Sequence, residues 1–248
     1  MSELLTPEEF ALMRKAGKVA SRVLRRLKRF IKDGITTKSI EEFFEKELDK
    51  YPGMEPAFKG FMGYPASLCV SVNEEIIHGI PSKRQIKDGD LVSVDLGIKY
   101  QGLFVDTAYT YMVGRVSPQA KKLVRVTLKS LYAGIGSISL SGRLGDVSSA
   151  VQTEVERNGF SVVRRFVGHG IGKSLHLPPE VPNFGNRGDG PKLVVGSAIA
   201  IEPMVSAGSY KADILGDGWT ARTSDGSMSA HFEHTVAITS KGPRVITR

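Results

Sequence analysis

Asp95 and Asp106 stand in two β-rich runs, Leu91–Ile98 and 102–112, joined by Lys99-Tyr100-Gln101-Gly102. A two-residue turn at Tyr100-Gln101 would set them directly opposite each other on adjacent strands. Opposed residues have Cβ atoms about 4.5–5.5 Å apart, where like charges destabilise the pair. Val94, Leu96, Phe104 and Val105 make the surroundings apolar, so bare carboxylates there would also be poorly solvated. A bound cation resolves the conflict, as does a shared proton or a register in which the two never meet. Glu202 follows the apolar run Ser197-Ala198-Ile199-Ala200-Ile201, and Glu233 lies in Phe232-Glu233-His234-Thr235-Val236 with no lysine or arginine nearby in sequence. A distant basic partner accounts for one such acid, but four together point to one shared site.

Gly168-His169-Gly170-Ile171-Gly172 places an imidazole among glycines, where backbone can approach a ligand closely, and His176 follows seven residues on. His231 reads as an ordinary satisfied histidine, although it shares a strand face with Glu233 and so stays a minor candidate ligand. Two aspartates, two glutamates and a histidine offer hard oxygens, one borderline nitrogen and no thiolate, a set that suits Mn, Fe(II), Co or Zn. Five side chains exceed the needs of one open catalytic metal, and carboxylates can bridge. Two metals about 3.5–4 Å apart would activate a water near neutral pH, which makes hydrolysis the natural reaction.

Thr6-Pro7-Glu8-Glu9 has the form of a helix start with a capping box, and the first helix is expected to run to about Lys32 before Asp33-Gly34 stops it. A second helical pattern spans 36–51, and the Gly- and Pro-rich stretch 51–67 reads as irregular. Strands dominate from Leu68. Helices return near 118–135 and 144–158, and strands near 162–166, 198–205 and 232–239. Within this order lies a repeat. His78-Gly79-Ile80, Gly89 with Asp95 six residues later, and Asp106-Thr107 are echoed by His169-Gly170-Ile171, Gly196 with Glu202 six residues later, and Glu233-His234-Thr235. The expectation is one catalytic domain over 1–248 with similar α+β halves at about 1–115 and 116–248, each supplying carboxylates to a shared cleft.

The 248 residues are enough for a large core. An acidic N-terminus and the lack of any apolar run near the ~18 residues of a membrane span lead to the expectation of a soluble, cytoplasmic protein. The single cysteine, Cys69, excludes an internal disulfide. The net charge is +8, and basic residues crowd the first helix as Arg14, Lys15, Lys18, Arg22, Arg25, Arg26, Lys28, Arg29 and Lys32. That pattern is a solvated helix face first, and a surface suited to polyanions such as ribosomal RNA second.

Together these motifs resemble the type I methionine aminopeptidases, a branch of peptidase family M24 with the pita-bread fold. The resemblance spans nearly the whole chain. It rests on His78-Gly79-Ile80-Pro81, Asp95 with Asp106, Gly168-His169-Gly170-Ile171-Gly172 with His176, Ile201-Glu202-Pro203 and Phe232-Glu233-His234-Thr235. It implies an α+β fold of two pseudo-symmetric halves, antiparallel sheet covered by helices. It also implies that Asp95, Asp106, His169, Glu202 and Glu233 ligate two divalent metals, with Asp106 and Glu233 contacting both. His78 would hydrogen-bond the scissile amide, His176 would donate to the substrate carbonyl, and Glu202 would shuttle a proton. Tyr64, Cys69 and Trp219 match the family's methionine pocket. Phe61 stands where a tyrosine is common and Leu175 where a phenylalanine is common. Asn73 and Ser229 resemble residues that support a monovalent cation in some members. The implied partners are the N-termini of nascent polypeptides and the implied state is a monomer; ribosome association is expected from the basic surface.

Two other readings fit parts of this pattern. One is a pita-bread peptidase acting beside proline, against which the short N-terminus argues. The other is a ribosome- or RNA-binding module on the same fold, for which the charge is the sole support.

Overall fold

A computed structural model gives the structure and describes residues 4–248. The first helix, α1 (Pro7–Phe30), starts as its sequence dictates. Glu9 N–H donates to Thr6 Oγ1 at 3.2 Å and Thr6 N–H donates back to Glu9 Oε2 at 2.7 Å, satisfying two end donors. It ends two residues earlier than expected because Ile31 turns to extended backbone, with its side chain buried. Its apolar stripe, including Met13, Ala20, Val23 and Leu27, faces the core, and every basic residue named above is exposed. Helix α2 (Thr37–Leu48) is capped by Thr36, whose side chain accepts from Ser39 N–H.

The first half continues with β1 (Met54–Pro56), β2 (Cys69–Val72), β3 (Glu75–Ile77), β4 (Leu91–Tyr100) and β5 (Leu103–Met112). Central β4 pairs antiparallel with β1 and β2 along one edge and with β5 along the other. Thus the stretch expected to be irregular donates a short strand, and α1 packs on β4 and β5.

Helices α3 (Pro118–Gly136) and α4 (Leu144–Glu156) follow and pack on each other. The second half then supplies β6 (Ser161–Val162), β7 (Gly168–Gly170), β8 (Leu177–Val181), β9 (Ala198–Ile201), β10 (Met204–Ser206), β11 (Ala212–Ile214), β12 (Ala221–Thr223), β13 (Ser229–His231), β14 (His234–Thr239) and β15 (Gly242–Val245). Its main sheet has the order β15-β14-β9-β7-β8, antiparallel throughout, with smaller sheets β13-β10-β6 and β11-β12-β3 beside it. One core lies beneath α1 and α2, a second beneath α3 and α4.

The sheets meet where β5 passes β14. Thr107 Oγ1 donates to Glu233 O at 2.8 Å, and Thr235 Oγ1 donates to Asp106 O at 2.8 Å while accepting from Asp106 N–H at 2.9 Å. Each half thus fastens the acid-bearing main chain of the other with a buried hydroxyl. No helix among the described residues is long and apolar enough to cross a membrane.

Candidate metal centre and adjoining cavity

The β4–β5 hairpin turns at Gln101 and Gly102, with φ of 49° and 78°, the pair of positive values that a type I′ turn requires. The register is therefore two residues from the one expected, with Asp95 opposite Ala108 and Asp106 opposite Gly97. Asp95 and Asp106 are diagonal neighbours, not opposed ones. A shift of two preserves side-chain parity, so both still face the same side of the sheet. Cys69 on β2 lies directly opposite Asp95.

The two glutamates occupy strand breaks. Glu202 and Pro203 separate β9 from β10, so the continuous strand expected over 198–205 does not form, and Glu233 falls between β13 and β14. Glu233 N–H leaves its own sheet and donates to Ala108 O at 3.0 Å. His169 sits on β7 opposite Ala200. Its flanking glycines serve strand packing: a Cβ on Gly168 would lie 2.3 Å from Ala200 O, and one on Gly170 2.4 Å from Pro178 O. The glycines therefore let β7 nest between its neighbours, a different reason from the ligand approach the sequence suggested.

These elements bring the five residues together. Ligand atoms of Asp95, Asp106 and Glu233 lie within 4.8 Å of one another, as do those of His169, Glu202 and Glu233. Asp106 and Glu233 are only 3% and 2% exposed. Among the described residues no lysine or arginine forms an ion pair with any of the four carboxylates, and Asp95 Oδ1 and Glu233 Oε1 are buried without a hydrogen-bond partner. Burial pushes the Asp95 carboxyl up to about 7. Burial, then the neighbouring acids, hold Asp106, Glu202 and Glu233 well above the usual carboxylate range. His169 Nδ1 lies 2.9 Å from Gly170 O, so Nδ1 carries the proton, and Nε2 faces Glu202 Oε1 at 3.7 Å with a bare lone pair. Burial keeps this ring neutral, down to about 3. Orphaned oxygens, missing counter-charges and a free imidazole nitrogen fit divalent cations. Burial pushes the Cys69 thiol up, which leaves it protonated and outside a hard-ligand set.

The cluster forms one wall of a cavity of about 720 Å³ that also contains His78, His176, Phe61, Tyr64, Cys69, Leu175 and Trp219. His176 lies against His169 with the rings tilted and their centres 4.2 Å apart, and it meets Phe61 edge-on at 5.1 Å. Tyr64 is fixed by its hydroxyl, which donates to Gly79 O at 3.1 Å, and by an edge contact to Trp219 at 5.2 Å. His78 has a positive φ of 60° and lies against Phe166, and burial holds it down to about 4. Phe58, Met62, Ile77 and Phe166 also line the cavity and were missed from the sequence. They come from loops and small sheets, and only aromatic content in irregular stretches hinted at them. Asn73 and Ser229 lie outside this cavity, joined by Ser229 N–H to Asn73 O at 2.7 Å. Their side chains are occupied by Asp90, Leu91 and Val205, so a monovalent cation there would depend on main-chain oxygens. His231, the minor candidate, is fully buried, with Nε2 3.6 Å from Glu202 Oε2.

A pita-bread architecture whose sheets converge on buried, unpaired carboxylates defines a class of metallopeptidase, and the comparisons agree. The sequence model of metallopeptidase family M24 matches residues 11–240, and the chain belongs to that family, in its methionine aminopeptidase branch. It is 50% identical to the methionine aminopeptidase of Clostridium perfringens, covering 98% of each chain. It is 48% identical to methionine aminopeptidase 1 of Bacillus subtilis, again covering 98% of each. The crystal structure of methionine aminopeptidase from Thermotoga maritima superposes with a TM-score of 0.98 at 46% identity, covering all of both chains. The prolidase of Pyrococcus horikoshii shares the fold, with a TM-score of 0.80 at 21% identity over 99% of this chain and 63% of that one.

Proposed function

We propose that this protein hydrolyses the first peptide bond of nascent proteins and peptides that begin with methionine, preferring a small, uncharged second residue. The observation that carries the reading is one cavity with a five-residue carboxylate and histidine cluster on one wall and apolar Phe61, Tyr64, Cys69, Leu175 and Trp219 on another. Asp95, Asp106, His169, Glu202 and Glu233 would hold two divalent ions, with Asp106 and Glu233 reaching both. Bound there, Co, Mn, Fe(II) or Zn would lower the pKa of a water to near 7 and polarise the scissile carbonyl.

The remaining work belongs to the chain. His78, held neutral at physiological pH, would hydrogen-bond the scissile amide, and His176 would donate to the carbonyl oxygen as negative charge develops on it. Glu202 would carry a proton from the attacking water to the leaving amine. The pocket's aromatic and sulfur-bearing walls suit a flexible thioether. The exposed basic face of α1 would suit ribosomal RNA, which would bring the enzyme to emerging N-termini.

The test compares four peptides with metal-loaded protein: Met-Ala-Ser, Met-Leu-Ser, N-acetylated Met-Ala-Ser and Ala-Pro-Ser. Release of free methionine from the first, with much slower cleavage of the others, is the expected result. Preferred cleavage of the proline peptide, or equal cleavage of the acetylated one, would refute the assignment.

A further inference from the structure

His231 remains without a task in this scheme. Strand β13 pairs it with Met204 on β10, two residues beyond Glu202. Thr110 on β5 clamps its main chain: His231 N–H donates to Thr110 Oγ1 at 2.9 Å, and that hydroxyl donates to His231 O at 2.8 Å. The ring is thereby carried into the interior beside the metal cluster. It is fully buried, and among the described residues neither ring nitrogen has a hydrogen-bond partner. An imidazole in that position needs a reason, because buried polar atoms are almost always paired.

Glu202 lies between two imidazoles. Its Oε1 is 3.7 Å from His169 Nε2 and its Oε2 is 3.6 Å from His231 Nε2. Those contacts are chemically opposite. His169 donates its proton to Gly170 O, so its Nε2 and an ionised Glu202 Oε1 are both acceptors, a pair that attracts only through a shared proton or cation. His231 has no such competing acceptor on Nδ1, so its Nε2 is free to carry the proton. With a cation in place of its proton the Glu202 carboxylate can only accept, and an N–H aimed at Oε2 satisfies both groups after a movement of less than about 1 Å.

We propose that His231 is a positioning residue for Glu202: its Nε2–H donates to Oε2 and leaves Oε1 turned toward the cation site beside His169. This rests on the proposed metal-dependent function. It gives His231 a supporting place in the site and not that of a sixth ligand.

The experiment uses the full chain, freed of metal by chelator, as wild type, His231→Leu and His231→Gln. Calorimetric titration with Mn(II) and steady-state kinetics on Met-Ala-Ser are the readouts. The leucine variant is expected to bind Mn(II) about 10–100-fold more weakly, with kcat reduced and KM within about threefold, while the amide N–H of glutamine restores both. Nitrogen-15 NMR of the Zn(II)-loaded wild type, in which the cation keeps Glu202 ionised, is expected to show His231 protonated on Nε2 and bare on Nδ1, a measurement that stands even where the leucine variant does not fold. Wild-type Mn(II) affinity in the leucine variant, equal impairment of the leucine and glutamine variants, or the Nδ1–H tautomer would overturn the proposal. Wild type that binds Mn(II) but releases no methionine would refute the peptidase reading alone, since calorimetry and NMR still decide the role of His231.

Discussion

At the scale of residues, the centre is organised by partners that the protein withholds. Asp95, Asp106, Glu202 and Glu233 are placed where water is scarce and, among the described residues, no lysine or arginine pairs with them, so their charges are balanced by protons or by a cation. The histidines are divided by environment: His169 has its tautomer fixed by Gly170 O, while His78 and His176 project into the cavity as neutral rings. His176→Ala is expected to lower kcat about 10²–10³-fold while leaving metal binding intact, the usual cost of losing one donor to a developing oxyanion. Stopped assays of methionine release alongside calorimetric metal titration check this; a variant with full kcat would remove His176 from the chemistry. The acids were legible in the sequence because a carboxylate within an apolar run is tolerated only with a proton, a basic partner or a cation. Phe58, Ile77 and Phe166 were not, because nothing local distinguishes a cavity-lining apolar side chain from a core one.

At the scale of elements, the site depends on how two hairpin-like units are held against each other. The position of Asp106 relative to Asp95 is set by the turn, and the cue was Gly102, whose freedom at positive φ selects Gln101-Gly102 over Tyr100-Gln101. The reading of the hairpin was thus right in which face the acids share and wrong in which residues oppose them. The threonine clasp was beyond sequence reasoning, since it joins residues 129 positions apart through side chain to main chain bonds. Thr235→Val keeps the shape but leaves Asp106 N–H and O without that partner. It is expected to cost about 1–3 kcal/mol in urea unfolding and to weaken metal binding. Wild-type values for both would show that the clasp does not hold the site.

At the scale of the whole molecule, the cation site couples stability to pH. In the folded, metal-free chain the cluster carboxyls lie above their unfolded values, Asp95 at about 7 and the other three well above the normal range. The folded state then binds more protons than the unfolded one, so stability falls as pH rises. Buried His78, His169 and His231, held down to about 4, 3 and 3, act in the opposite sense up to about pH 7.5, one unit above the unfolded value of about 6.5, where the unfolded histidines finish losing protons. Between about pH 7.5 and 8.5 the carboxyls therefore dominate. The Tm of chelator-treated protein should fall across that window, and excess Mn(II) should flatten the slope. A metal-free Tm that rises with pH would contradict this balance. The order of helices, strands, helices and strands could be read from local helix starts, apolar runs and turn residues, whereas the small sheets β13-β10-β6 and β11-β12-β3 could not, being built from strands of two or three residues. The most direct test of the account is methionine release from Met-Ala-Ser by chelator-treated protein, before and after adding Co(II), Mn(II) or Fe(II), with Asp106→Ala as control. The account predicts release that returns with metal and is absent from the variant; no release with any of the three metals, from protein shown to be folded, would contradict it.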